Sequence, residues 1–387
     1  MVEHNRTALT KSSTMKILFI SRAYPPITGG IENQNYALSV WLPKITETVT
    51  IANHKGKAGL PFFLPRVLIQ SLWQARKFDA ILLGDGVLAP IGAVLKICYP
   101  HKTVASVLHG LDITFATKEG FLARMYALVN IPCLKTLDRL ITVSEETRET
   151  AIRAGLEPAT LQVIHNGIDP EAVLRPTTRQ ELEKLLGISL TDKYVILRTG
   201  RYVAHKGVEW FIREVMPKLP KNIIFVAAGA VVKKNTPGDS DYFPLCEKAV
   251  QELSLGDNVK LLTNLPWEHM QILFNSVDIV VSPNIPIPGS MEGFGLTVLE
   301  AAICKRPVIA SDLEGLKDAL THEQNGLLVP PRDTEAYIQT ILDLLASDTA
   351  RIAFGTKAAL YTEEHYHWSY IAQKYVAALA NQEGKVQ

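Results

Sequence analysis

The chain has 387 residues, of which 47% are hydrophobic and 20% are charged. A chain of this length and composition is expected to form two or three globular domains. Its formal net charge of +1 argues against a protein that binds nucleic acid by bulk electrostatic attraction.

The first 14 residues are polar and have no apolar centre, so they predict a disordered leader rather than a signal peptide. Residues 80–99 are the nearest approach to a transmembrane span, but Asp85, Pro90 and Lys96 interrupt them. Because a central charge costs ~2.5–3.5 kcal/mol in a bilayer, this stretch favours a strand, a turn and a helix. Four widely spaced cysteines without a C-x-x-C pair indicate reduced thiols in a cytoplasmic protein.

Apolar runs alternate with amphipathic stretches along the first half of the chain. Six runs predict strands buried on both faces: 16–21, 49–53, 80–84, 103–109, 139–144 and 161–167. The stretch 145–155 predicts a helix with Ser144 as N-cap and Gly155 as its stop. This βαβ repetition is typical of a doubly wound parallel sheet.

A second series of strands follows a proline-containing lapse in the pattern. Its members are 194–200, 223–229, 259–263, 278–283, 307–311 and 326–330. We therefore predict an N-terminal domain over 15–175, a C-terminal domain over 176–365, and a last helix over 366–387 that packs back on the first domain. Since ligands bind beyond the carboxyl ends of parallel strands, a ligand shared by both domains is expected in the cleft between them.

Three loops that follow predicted strands carry candidate binding residues. Gly29 and Gly30 precede a predicted helix, where bare N–H groups suit a phosphate, although a purely structural turn explains them equally well. Arg201 and Lys206 follow the first strand of the second series and suit a diphosphate, or are solvated surface cations.

The third loop is "MEGFGLTVLEA", residues 291–301, in which Glu292 and Glu300 lie eight positions apart. A helix is predicted to begin near Gly295, so Glu300 falls one to two turns inside it. A carboxylate there could accept hydrogen bonds from vicinal hydroxyls, as the acidic residue of dinucleotide folds does for ribose. The alternative is that both acids only complement the helix dipole.

The order of these motifs resembles that of the retaining glycosyltransferases of family four, the group-one transferases. Glu292 and Glu300 are similar to the family's E-x7-E element. The other matching motifs are "PPxxGG" after the first strand, His109–Gly110, "VSE" at 143–145, "NGID" at 166–169 and "GRxxxxKG" at 200–207. The resemblance implies an α/β GT-B fold, in which two Rossmann-like doubly wound parallel-sheet domains face each other across a cleft.

The resemblance also implies roles for individual residues. Arg201 and Lys206 would hold the diphosphate of a nucleotide sugar, Glu300 the ribose hydroxyls, and Glu292 and His109 the donor sugar. The diphosphate would also meet backbone from these residues: Gly29, Gly30, Gly293, Phe294, Gly295, Leu296 and Thr297. Asp112 is placed either to orient His109 or to start a helix, and Asp85 to line the sugar or acceptor side.

The implied activity is transfer of a hexose-type sugar from a UDP- or GDP-sugar to a glycan or lipid-linked glycan, with retention, in cell-envelope polysaccharide synthesis. No protein nucleophile is evident, so catalysis is expected to come from positioning and from neutralisation of the departing diphosphate. We expect no cofactor and no metal. Asp239 and Asp241 form an Asp-x-Asp pair but lie in a polar loop away from the glutamates.

Two other enzyme classes compete with this interpretation. Gly84, Gly86 and Ala89 outline a G-x-G-x-x-A dinucleotide pattern, which would indicate a nicotinamide-dependent oxidoreductase. The pattern follows the third strand instead of the first and lacks the acidic residue about 20 positions later. A nucleotide-sugar epimerase or a phosphorylase on the same fold is the nearer alternative.

Residues 48–78 contain no acidic residue but several basic and aromatic ones. A segment of this kind could rest on an anionic membrane surface and meet a lipid-linked acceptor, which would make the protein peripheral at the inner face of the cell membrane. An ordinary helix over 65–77 that packs on the sheet explains the same residues. The sequence leaves both open.

Overall fold

The computed structural model describes residues 15–27, 29–115, 120–231 and 242–380, and the chain divides into two compact units. The first unit ends at Gly167 and takes up the chain again from Trp368; the second is Ile168–His367. These divisions lie eight and two residues from the sequence-based boundaries at 175 and 365. The predicted leader over 1–14 lies outside the described residues.

Six parallel strands form the sheet of the first unit. They are β1 (Lys16–Ser21), β2 (Glu47–Ala52), β3 (Ala80–Leu83), β4 (Thr103–Leu108), β5 (Arg139–Thr142) and β6 (Leu161–Val163). Their order across the sheet is β2-β1-β3-β4-β5-β6. Strands β3 and β4 are buried along their whole length, which explains why apolar residues predominate in them.

Helices connect these strands. They are α1 (Gly30–Trp41), α2 (Gly56–Gln74), α3 (Ala89–Cys98), α4 (Leu111–Thr114), α5 (Phe121–Lys135) and α6 (Glu145–Arg153). The predicted start of α6 is confirmed, because the Ser144 hydroxyl accepts a hydrogen bond from the Thr147 N–H. Beyond the helix, Gly155 has a φ of 87°, a left-handed conformation that ends it at little cost.

A second sheet of six parallel strands forms the other unit. Its strands are β7 (Tyr194–Thr199), β8 (Ile223–Gly229), β9 (Val259–Thr263), β10 (Ile279–Ser282), β11 (Val308–Ser311) and β12 (Leu327–Val329). Their order is β12-β11-β10-β7-β8-β9. The prediction of two doubly wound parallel sheets is confirmed, and every predicted strand has its counterpart.

The helices of the second unit begin with α7 (Pro170–Val173). They continue with α8 (Arg179–Leu186), α9 (Val208–Trp210), α10 (Tyr242–Glu252), α11 (Trp267–Ser276), α12 (Leu296–Ile303), α13 (Leu316–Ala319), α14 (Thr334–Leu345) and α15 (Asp348–Tyr366). A π-helical turn, Phe211–Val215, extends α9. Its Phe211 packs on Phe225 of β8 and on Tyr337 of α14 in the core of this unit.

The last helix, α16 (Trp368–Ala380), belongs to the first unit. It packs against α1 and β4, and the Gln34 amide of α1 donates a hydrogen bond of 2.9 Å to the Tyr375 hydroxyl. A Cβ on Gly167 would lie 2.6 Å from the Trp368 ring, so the backbone meets this indole directly.

The stretch over 80–99 that most resembled a membrane span forms β3, a turn and α3, as predicted. In the described ranges, no helix is both long enough and apolar enough to cross a bilayer.

Candidate active site

The strand order of the second unit reverses between β7 and β10, and the loops that follow these two strands meet there. Such switch points are where doubly wound sheets bind ligands. Gly207, in the loop after β7, has a φ of 68°, and a Cβ on it would lie 1.8 Å from the Pro283 carbonyl oxygen after β10. Only a residue without a side chain allows this approach, which brings Lys206 beside the second loop.

Lys206 and Glu292 form an ion pair at this junction, with side chains 11% and 13% exposed. The Asn284 amide donates a second hydrogen bond of 3.0 Å to the same carboxylate oxygen. Burial alone would raise the pKa of Glu292, but the Lys206 ammonium and these hydrogen bonds lower it to about 2. Glu292 is therefore ionised at neutral pH and is a weak base.

The backbone around Glu292 is held by the loop that follows β11. The Glu292 N–H donates to the Glu314 carboxylate at 2.5 Å, and the Gly315 N–H donates to the Glu292 carbonyl at 3.2 Å. A Cβ on Gly315 would lie 2.5 Å from the Gly293 carbonyl oxygen, so the two backbones touch. The loops after β7, β10 and β11 thus fix one carboxylate.

Helix α12 begins directly after this loop. Gly295 is its N-cap, with a φ of 87° and no side-chain hydrogen bond to the first turn. The N–H groups of the first turn therefore have no capping side chain and can accept an anion. Leu296 and Thr297 are half-buried, whereas the Phe294 ring is buried and packs near Tyr366.

Glu300 lies in the second turn of α12, as the sequence predicted. Its carboxylate is half-buried, and it has no hydrogen bond or ion pair within the described residues. Burial raises the pKa of Glu300 to about 7. An acceptor without a partner at this position is open to hydroxyl groups of a ligand.

Arg201 is exposed and makes no side-chain hydrogen bond or ion pair in the described part of the chain. The loop that carries it is held by Arg198 of β7, which is 1% exposed. The Arg198 guanidinium donates to the carbonyls of Gly200 and Arg201 at 2.6 and 3.2 Å. Arg198 thus shapes the loop, and Arg201 is available to a ligand.

In the first unit, a polar group lies where the strand order reverses between β1 and β3. Arg22 donates through Nε to Asp85 Oδ1 at 2.8 Å, while Asp85 Oδ2 is buried without a hydrogen bond. Burial raises the pKa of Asp85, and Arg22 opposes that shift. His109 is 8% exposed, and its Nε2 lies 2.9 Å from the Gly84 carbonyl oxygen. Because a carbonyl only accepts, this nitrogen carries the proton.

The comparisons with known proteins match both units. Residues 27–172 match a family model described as Glycosyltransferase Family 4, and residues 193–347 match one described as Glycosyl transferases group 1. The chain belongs to the group 1 (family 4) glycosyltransferases. An uncharacterized glycosyltransferase of Methanocaldococcus jannaschii is 26% identical over 94% of this chain and 97% of its own length.

A D-inositol 3-phosphate glycosyltransferase of Mycobacterium marinum is 30% identical, but the alignment covers 60% of this chain and 47% of that relative. Among solved structures, HepE of Anabaena in complex with UDP has a TM-score of 0.73 over 95% of this chain and 100% of its own, at 19% identity. This likeness confirms the predicted GT-B fold.

The geometry adds two contacts to the sequence-based site in this glycosyltransferase. Lys206 and Glu292 were assigned separately to diphosphate and sugar, but the structure pairs them. Asp112 does not hold the imidazole of His109 through a hydrogen bond in the described residues. Its carboxylate accepts from the backbone N–H groups of His109 and Gly86, at 3.1 and 3.0 Å, and so links the loop after β4 to the loop after β3.

The two candidate glycine loops of the first unit are also explained by their neighbours. A Cβ on Gly29 would lie 2.4 Å from a Glu32 carboxylate oxygen, so a phosphate there would have to displace this acid; Gly30 has open space beside it. A Cβ on Gly84 would meet the Asn35 amide at 2.8 Å, and one on Gly86 the Asp112 carboxylate at 2.9 Å. These contacts account for the glycines of the dinucleotide-like pattern without a nicotinamide cofactor.

Sequence reasoning missed Arg198, Asn284, Glu314 and the pair formed by His205 and Ser290. The His205 Nδ1 lies 2.7 Å from the Ser290 hydroxyl, and burial, with Lys206, lowers the pKa of His205 to about 4. The one available signal was Arg198, a cation that follows the apolar residues of a buried strand. Asp239 and Asp241 lie outside the described residues.

Proposed function

We propose that this glycosyltransferase moves a hexose from a UDP- or GDP-sugar to an acceptor hydroxyl, with retention at the anomeric carbon and without a metal. The observation that carries the proposal is the E-x7-E element in its folded form. Glu292 is held in a largely buried ion pair beside the uncapped start of α12, and the Glu300 carboxylate, in the same helix, has no hydrogen-bond or ion-pair partner among the described residues.

Each charged group of this arrangement suits one part of a nucleotide sugar. Arg201, Lys206 and the N–H groups at the start of α12 would neutralise the diphosphate. Glu300 would accept from the ribose hydroxyls. Glu292 would contact the donor sugar. The sequence-based assignment of His109 to the donor sugar stays a prediction.

The chemistry needs no protein nucleophile. Glu292 has a pKa of about 2 and is paired with Lys206, so it is poorly suited to remove a proton from the acceptor. We assign that proton to the departing phosphate, on the same face of the sugar that the acceptor attacks. Catalysis then comes from positioning and from neutralisation of the leaving diphosphate.

The comparisons support a nucleotide-sugar donor, since HepE is similar in fold and binds UDP and UDP-glucose. For the acceptor we propose a glycan or a lipid-linked glycan of the cell envelope, modified at the cytoplasmic face of the membrane. The inositol phosphate transferases among the relatives act on a small phosphorylated acceptor by name, and about half of their length aligns with this chain.

A thermal-shift series with UDP, GDP, ADP and dTDP tests the donor site first. A diphosphate at 100 times its dissociation constant should stabilise the protein by about 2.7 kcal/mol, a shift of several degrees. The sugar nucleotide of the base that responds is then supplied with acceptors, and NMR of the product gives the anomeric configuration. A protein that responds to no diphosphate, or an inverted product, contradicts the proposal.

A further inference from the structure

The outer surfaces of three helices in the first unit are unusually apolar. Nine of the 21 large hydrophobic side chains that are exposed in the described residues lie on α2, α3 and α5. They are Phe62, Ile69 and Trp73 on α2, Val94 and Ile97 on α3, and Phe121, Met125, Leu128 and Val129 on α5. Phe62, Ile97 and Phe121 are 83%, 78% and 77% exposed.

These side chains share one face of the unit, which we call the α2–α3–α5 face. Helix α2 packs against α3, and α3 packs against α5. Val67, Leu95 and Leu134, one from each helix, are fully buried in a common core with the sheet. Because the inner sides of the three helices all meet that core, their exposed sides point away from the sheet together.

The charge on this face has a single sign. The three helices and the turn 75–77 contain seven basic residues and no Asp or Glu: Lys57, Arg66, Arg76, Lys77, Lys96, Arg124 and Lys135. Lys96 is paired with Asp138 at 2.7 Å, and the other six are exposed. Glu119, which precedes α5 in the sequence, lies outside the described residues.

Basic and apolar groups alternate along the surface. Phe62, Arg66, Ile69 and Trp73 follow one stripe of α2 at intervals of four, three and four residues. The Arg76 and Lys77 side chains lie 5.0 and 5.2 Å from the Trp73 ring. Helix α6 of the same unit differs, since it carries three glutamates and none of the large exposed hydrophobic side chains.

We propose that the α2–α3–α5 face docks on an anionic lipid bilayer. Apolar side chains of this kind enter the headgroup region, while the surrounding Lys and Arg meet lipid phosphates. A second copy of this chain is the less suitable occupant, because a two-fold contact would bring six exposed cations against the same six. The inference rests on the proposed function only for its purpose, which is access to a lipid-linked acceptor.

Co-sedimentation of the full chain with vesicles tests the inference. Vesicles of phosphatidylcholine with about 30% of the anionic lipid phosphatidylglycerol are compared with vesicles of phosphatidylcholine alone, at low and high salt. Each Lys or Arg near an anionic surface contributes about fivefold to the affinity. Arg66→Gln, Arg76→Gln and Lys77→Gln together should therefore weaken binding by about 100-fold.

The apolar contribution is tested separately with Phe62→Ser, Ile69→Ser and Trp73→Ser combined. This triple variant should weaken vesicle binding at least about tenfold, because binding strength scales with the apolar area that enters the membrane. Ile352→Ser with Leu360→Ser is the matched control, because these side chains of α15 are 64% and 65% exposed but lie on the other unit. The control should bind vesicles as the wild type does.

Cys98, an exposed cysteine beside Ile97 on α3, gives a direct readout. With Cys133 replaced by Ser, an environment-sensitive dye on Cys98 should shift to the blue when anionic vesicles are added. Absence of binding to anionic vesicles at low salt overturns the inference, as does a dimer that persists at high salt and shifts the dye without lipid.

Thermal shift with UDP and the other diphosphates on the same preparations separates this inference from the proposed function. A protein that responds to a diphosphate but binds no anionic vesicle overturns membrane docking alone. A protein that binds vesicles but responds to no diphosphate overturns the sugar-transfer proposal alone.

Discussion

The ion pair of Lys206 and Glu292 makes the Glu292 carboxylate a competitor of any diphosphate that binds the Lys206 ammonium. A diphosphate that binds Lys206 must share its ammonium with a carboxylate that is already bound to it. When Lys206 turns to the diphosphate, the Glu292 carboxylate can accept a hydrogen bond from a sugar hydroxyl in place of the one from Lys206. In the proposed site, the pair would thus couple the diphosphate position to the sugar position within one unit.

Replacement of Glu292 and replacement of Lys206 should therefore change UDP affinity in opposite directions. Glu292→Gln removes the competing charge, so we expect UDP to bind about three- to tenfold more tightly, part of what one charge-assisted hydrogen bond contributes. Lys206→Ala should weaken UDP binding and lower turnover by about 10²–10³-fold, and Arg201→Ala should lower turnover to a similar extent. Calorimetric titration with UDP and initial rates measure both.

Lys206→Ala leaves Glu292 buried without its partner, a change that can cost about 3–5 kcal/mol of stability. The double variant Lys206→Ala/Glu292→Gln contains neither charge and is the control for folding. Weaker UDP binding in Glu292→Gln would show that Glu292 and the diphosphate do not compete for Lys206.

Glu300 gives a prediction about pH. Its pKa is raised by burial from 4.5 to about 7, so the folded protein holds this proton more tightly than the unfolded chain. Stability from this group is therefore lost as pH rises from about 4.5 to 7. Each pKa unit corresponds to about 1.4 kcal/mol, and partial solvent exposure reduces the effect.

We expect Glu300→Gln to stabilise the protein by about 1–2 kcal/mol at pH 8 and by much less at pH 5, in urea unfolding. Because the ionised carboxylate is the better acceptor for ribose hydroxyls, wild-type affinity for UDP-glucose should rise between pH 6 and 8, and the variant should lose this dependence. A variant destabilised at pH 8 would mean that the ionised carboxylate is stabilised in the fold.

At the scale of elements, the sequence predicted all twelve strands because their signal is local. A parallel strand covered on both faces reads as a short apolar run, and a turn residue marks its end. The start of α12 and the place of Glu300 in it were predicted for the same reason. The partners of these residues were not, since Asn284 and Glu314 reach Glu292 from different loops. Which loops meet depends on the order of the strands in the sheet, and no single stretch of sequence specifies that order.

Substitution of Gly207 tests how far the loop after β7 depends on the close approach of its backbone to the Pro283 carbonyl. Gly187, which ends α8, has nearly the same φ, 67° against 68°, but a Cβ there would meet nothing within 4 Å. Gly187→Ala should therefore cost only the conformational penalty, about 1 kcal/mol. Gly207→Ala adds a clash with the Pro283 carbonyl and should cost at least about 2–3 kcal/mol more, within the range of overpacked sites.

Urea unfolding of the two variants measures this difference, and UDP binding shows where it acts. The Gly207 variant should lose UDP affinity as Lys206 moves away from the loop after β10, whereas the Gly187 variant should keep it. Equal costs for the two substitutions would mean that the approach to Pro283 does not constrain the loop.

At the scale of the whole molecule, the two units repeat one architecture with different chemistry. Each places a largely buried pair of opposite charges where its strand order reverses, Arg22 with Asp85 in one and Lys206 with Glu292 in the other. In the second unit, the Arg201 side chain has no hydrogen-bond or ion-pair partner among the described residues and the start of α12 has no side-chain cap, so both are available to an anionic ligand. This asymmetry supports a donor diphosphate on the second unit.

Those cationic groups also lead to a prediction about metal dependence. In the proposed site, Arg201, Lys206 and the first turn of α12 would supply the positive charge that a bound Mg²⁺ would otherwise bring to a leaving diphosphate. The described ranges hold no group of three or more His, Cys, Asp or Glu side chains arranged to bind a metal. We therefore expect sugar transfer to keep its rate after dialysis against EDTA and to gain nothing from added Mg²⁺ or Mn²⁺.

Asp239→Asn with Asp241→Asn is the control, because this pair is the sequence's one candidate for a metal and its loss should leave the rate unchanged. Loss of activity in EDTA that Mg²⁺ restores in the wild type, but not in this double variant, would assign a metal to the Asp-x-Asp loop and remove the neutralising role from the cations.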